Sequence, residues 1–68
     1  MTDYKIEYRS AGELVGHAAA SGEVYLAKKV AALNMPPGAD FVAIISGDSK
    51  AEVASARYDA AGKLDWDQ

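Results

Sequence analysis

The chain has 68 residues, a net charge of −3 and no cysteine. Those figures exclude a disulfide framework, a thiolate nucleophile and a cysteine-ligated metal, and they disfavour the phosphate backbone of nucleic acid as a partner. At this length the chain is one small domain of marginal stability, since it buries only about 60% of the surface its unfolded form exposes.

Tyr4-Lys5-Ile6-Glu7-Tyr8-Arg9 alternates apolar and charged residues, which is the period of a half-buried strand. Tyr4, Ile6 and Tyr8 share one face, and Lys5, Glu7 and Arg9 share the solvated one. Ser10-Ala11-Gly12-Glu13 reads as a turn, and residues 14–20 return as a second strand. The facing of that strand stays open. A loop of Ala11-Gly12 alone sets Tyr8 opposite Val15 and Ile6 opposite His17. One more loop residue brings Gly16 and Ala18 to the aromatic face and turns His17 away, because a one-residue slip exchanges the faces.

Residues 21–34 read as a helix. Ser21 is placed to cap it, and Glu23 falls in the first turn near the positive dipole end. Leu26, Val30 and Leu33 recur at helical spacing beside Ala27 and Ala31, and the two alanines point to close approach to a sheet. Tyr25, Lys28, Lys29 and Ala32 fall on the opposite side. Asn34 suits the C-terminal cap, and Pro36-Pro37-Gly38 prevents continuation. Residues 41–46, apolar on both alternating sets, mark a central strand covered on at least one face. Gly47-Asp48-Ser49-Lys50 is a turn by composition. Residues 52–59 resume as a strand, 60–63 turn again, and 64–67 add a short edge strand or pack as a tail. The expected architecture is α+β: an antiparallel sheet of four or five strands in the order ββαββ, with one helix packed on one face.

No apolar run approaches the ~20 residues that span a bilayer. The start lacks the basic-then-apolar order of a secretion signal, so a cytoplasmic location is expected. Charge is unevenly spread. Acidic and basic residues cancel over 1–34, and the whole excess of −3 lies in 35–68. That skew favours a partner with a basic surface.

Chemistry-bearing constellations are sparse. His17, the single histidine, has no partner at a motif spacing, and a triad would need a nucleophile and a carboxylate converging on it. Ser10, Ser21, Ser46, Ser49 and Ser55 carry no elbow signature. The order of residues 47–50 is wrong for a phosphate loop. Asp48, Asp65 and Asp67 lack the spacing of a calcium loop. Neither catalytic residues nor a cofactor or metal is expected. Basic material is limited to Lys5 and Arg9, interrupted by Glu7, and to Lys28 and Lys29 beside Tyr25, so direct nucleic-acid binding is not expected either. The C-terminal half instead gathers aromatic and acidic groups. Asp48, Glu52, Tyr58, Asp59, Asp65, Trp66 and Asp67 form the candidate partner-binding set, since Trp and Tyr anchor interfaces and carboxylates meet basic partners. Trp66 either plugs the core or anchors the interface, and a partly buried indole serves both.

The succession of Tyr4 to Tyr8, Gly12, Val15 to Ala18, an alanine-rich helix with Ala27, Lys28, Ala31 and Leu33, the apolar strand Phe41 to Ile45 and a further hairpin resembles the very small phage-encoded anti-CRISPR proteins that block type I surveillance complexes. The resemblance lies in size, acidity and layout and covers roughly residues 4–58. It implies a non-catalytic inhibitor that occupies a nucleic-acid-binding surface on a Cas subunit, its acidic face standing in for phosphates. Lys28 and Lys29 depart from a uniformly acidic surface, and no functional residue carries over by motif. The alternative is a small bacterial accessory or assembly domain, acting as a homodimer through edge strands or the exposed helix face.

Overall fold

The computed structural model describes residues 2–67. Its elements in chain order are β1 (Thr2–Ser10), β2 (Glu13–Gly22), α1 (Val24–Leu33), β3 (Phe41–Ser46), β4 (Glu52–Tyr58) and β5 (Leu64–Trp66). The strands form one antiparallel sheet in the order β2-β1-β3-β4-β5, with α1 on one face. The α+β architecture read from the sequence is therefore present, and residues 64–66 pair as the fifth strand.

The doubly apolar run 41–46 lies at the centre of the sheet as β3. Its Val42 and Ile44 meet Tyr8 and Ile6 across one ladder and Ala56 and Ala54 across the other. These six side chains, with Ala27 and Ala31 of α1, make up most of the buried core. Alanine on both layers lets helix and sheet approach closely, and a small domain gains most from such dense contact.

The β1–β2 hairpin settles the facing of His17. Ala11 and Gly12 form a two-residue loop, both with positive φ (52° and 86°), between the paired residues Ser10 and Glu13. Arg9 then pairs with Leu14, but Tyr8 pairs with Gly16, so Val15 is an extra residue, a β-bulge. The bulge does what a longer loop would have done. It puts Gly16, Ala18 and Ala20 on the helix side and leaves His17 on the other face, opposite Glu7. A Cβ on Gly16 would stand 3.4 Å from Pro36 Cγ, so the missing side chain makes room for the chain leaving α1.

Two expectations for the helix need correction. Ser21 is not its cap. β1 runs to Thr2, and the ladder continues to Asp3–Ser21 and Thr2–Gly22, which holds Ser21 extended in β2. Gly22, at φ 99°, makes the turn that only a residue without Cβ adopts easily. Glu23 then occupies the N-cap with no side-chain hydrogen bond, so it does not lie in the first turn. The second correction is rotational. The buried residues of α1 are Ala27 and Ala31, while Leu26 is 40% and Leu33 85% exposed. Lys28, expected on the far side, is half-buried with its Nζ 5.4 Å from the centre of the Trp66 ring. Asn34 does cap the C-terminus. Its backbone N–H and its Nδ2 both donate to the Val30 carbonyl, at 3.1 and 2.8 Å.

Candidate partner-binding face

No helix covers the second face of the sheet. Strand pairing puts Lys5, Glu7 and Arg9 of β1, His17 and Ala19 of β2, and Phe41, Ala43 and Ile45 of β3 on it. Glu52, Ser55 and Arg57 of β4 and Asp65 of β5 join them by register. At its centre Ala43 and Ser55 are buried although no other layer lies over them. These two short side chains sit side by side, as Ala43 pairs with Ser55.

Charge divides this face in two. On β1, Glu7 holds both neighbours, with Lys5 Nζ at 3.5 Å and Arg9 Nη2 at 3.2 Å. With two cations on one carboxylate, that half keeps a charge of +1. On β4 and β5, Glu52 and Asp65 are exposed and belong to no ion pair among the described residues. Asp67 is anchored to Ser55, whose Oγ donates to its Oδ2 at 3.1 Å and whose carbonyl accepts its N–H at 2.9 Å. Arg57, on the same face of β4, stacks its guanidinium 5.3 Å from the Phe41 ring centre. The β4–β5 half is thus acidic with carboxylates free to meet a partner.

Of the seven residues expected to bind a partner, Glu52, Asp65 and Asp67 share this face. Asp48 is exposed in the adjoining β3–β4 turn. The remaining three are placed differently. Asp59 lies in the β4–β5 turn at the other end of β4, where its Oδ1 accepts the N–H groups of Ala61 and Lys63, both at 2.9 Å. That carboxylate shapes its own turn. Tyr58 and Trp66 point to the helix side, paired opposite Leu64 and Ala56. Trp66 is half-buried against the core, and Tyr58 is 45% exposed. The set does not form one patch, because successive residues of a strand face opposite ways.

One feature at the end of the sheet escaped the sequence reading. Arg9, Asp40, Phe41, Arg57 and Tyr58 line an open cleft of about 560 Å³ at the end nearest the β1–β2 turn. Phe41 and Arg57 meet only through the β3–β4 register, which no local signal announces. His17 is exposed opposite Glu7, whose carboxylate is already engaged by Lys5 and Arg9. Residues 47–49 turn as expected, and Gly47 N–H donates to the Asp3 carbonyl at 2.7 Å. Among the described residues, no three His, Asp or Glu side chains converge as metal ligands would, and no helix is long and apolar enough to cross a membrane.

Comparison with known proteins adds no relative: no family model, no curated protein and no solved structure matches the chain.

Proposed function

We propose that the protein is a non-catalytic inhibitor that binds a basic protein surface through the β4–β5 half of its uncovered sheet face. The observation that carries this reading is the group Glu52, Asp65 and Asp67, held on one side of the sheet with no cation among the described residues paired to Glu52 or Asp65. Asp48 extends the acidic area into the neighbouring turn. A sheet face presents such carboxylates on a rigid backbone, which limits the ordering cost of binding. Opposed charges then steer the encounter and fix its register.

The most specific version of this reading is an inhibitor of anti-CRISPR type. In it the carboxylates occupy lysines and arginines of a Cas subunit that otherwise hold DNA phosphates, in a type I complex. The test mixes the purified protein with such a surveillance complex and measures co-elution and target-DNA binding. Co-elution with loss of DNA binding is expected, and Asp65→Lys should abolish both while leaving the fold intact. DNA binding that persists at saturating protein would refute the inhibitor reading for that complex.

A further inference from the structure

The two edges of the sheet are unequal. β5 offers three residues and carries Asp65 beside Asp67, whereas β2 offers ten. Short, charged strands are what proteins use to blunt an edge. β2 has neither lysine nor proline, and from Leu14 to Gly22 it carries no carboxylate or ammonium group. Its bulge at Val15 lies at the hairpin end, so residues 16–22 form a regular edge.

The direction of its backbone groups follows from the neighbouring ladders. In a strand, N–H and C=O of one residue point the same way and alternate along the chain. The Asp3 carbonyl accepts from Gly47 and the Arg9 carbonyl from Asp40, so odd-numbered residues of β1 point toward β3. Tyr4, Ile6 and Tyr8 therefore bond β2, through Ala20, Ala18 and Gly16. The amides of His17, Ala19 and Ser21 point outward, where no strand of the described residues lies.

The helix adds an apolar flank to the same edge. Lys28 reaches Trp66 on the β5 side, which fixes the rotation of α1. Leu26, Val30 and Leu33, at the i, i+4 and i+7 positions of the opposite flank, then overhang β2. Among the described residues, five of the six large apolar side chains left exposed lie on β2 and α1: Leu14, Val15, Tyr25, Leu26 and Leu33. Leu33, 85% exposed, has no covering partner in a single copy.

We propose that the free edge of β2, together with the Leu26–Val30–Leu33 flank of α1, is where a second copy of this chain docks. Antiparallel pairing of two β2 strands about a two-fold axis normal to the sheet gives a continuous ten-stranded sheet. Both helices then lie on one side, with their leucine flanks facing each other. An antiparallel strand pair is self-complementary, as a two-fold interface requires. Charge selects this edge for a second copy. Over residues 13–34, Glu13 and Glu23 balance Lys28 and Lys29, and antiparallel pairing sets the two Glu13 residues at opposite ends. Over residues 52–67, Glu52, Asp59, Asp65 and Asp67 outweigh Arg57 and Lys63 by two charges, and that surplus opposes its own copy. This surface lies at the other edge of the sheet from the acidic face and stands whether or not that face binds a Cas subunit.

The test reads mass and amide exchange on the wild-type chain. Light scattering should give twice 7.2 kDa at high micromolar concentration, falling toward 7.2 kDa on dilution. Exchange measured by NMR in the dimer should be slow at the amides of His17, Ala19 and Ser21. Ala19→Pro, which removes an outward amide that bonds nothing inside the chain, should shift the mass to the monomer with an unchanged circular dichroism spectrum. Ala19→Lys serves the same purpose if proline unfolds the domain. A strict monomer throughout, fast exchange at those three amides in a dimer, or a folded Ala19→Pro chain that still pairs would each overturn the proposal.

Discussion

Tyr8 joins the two layers of the molecule. Its ring is 2% exposed in the core, and its hydroxyl donates to the Ala31 carbonyl at 2.8 Å. That carbonyl lies in the last turn of α1, where the helix offers no N–H of its own. Tyr8→Phe keeps the ring and removes the donor, so it should lower stability by about 0.5–1.5 kcal/mol in urea unfolding near neutral pH. Burial also raises the Tyr8 pKa above 10.0. The unfolded chain then loses this proton first, so the contribution is whole below pH 10 and declines as pH rises beyond it. Wild type should therefore lose stability between about pH 8 and about pH 11 by more than Tyr8→Phe does, and the gap between the two should narrow.

At the scale of elements, spacing in the sequence was enough to find the first four strands and the helix, because alternation and helical period are local properties, while residues 64–67 were too few to tell a fifth strand from a tail. What it missed depends on partners. β2 extends to Gly22 because β1 extends to Thr2 beside it. The stripe Leu26–Val30–Leu33 reads as core, yet Ala27 and Ala31 face the sheet, because only small side chains fit the close approach. Ala31→Leu should thus destabilise by about 1–3 kcal/mol through overpacking, seen as a lower melting temperature. Gly47→Ala should destabilise too. Its Cβ would stand 2.9 Å from the Asp3 carbonyl oxygen, so the tie between the β3–β4 turn and β1 must open.

For the whole molecule, the acidic bias of the second half was visible in composition, but its division between faces was not. Asp65 and Asp67 face away from Trp66 between them, and Asp59 is spent on its turn. Only register reveals that Glu52 joins the first two. If those carboxylates form the contact, affinity for a basic partner should fall steeply between about 50 and 300 mM salt, because exposed charges are screened over about 10 Å at 0.1 M. An apolar contact would hold its affinity over that range. Calorimetric titration at the two salt levels distinguishes them.

The disparity between the sheet's two borders also governs how far lateral growth could run. Were the long border consumed by a twin, what remained outermost at either end would be a three-residue strand with Asp65 at its centre and Asp67 just beyond it. A third molecule would find no template there, so the proposed assembly would halt at a closed pair and a filament would have nowhere to start.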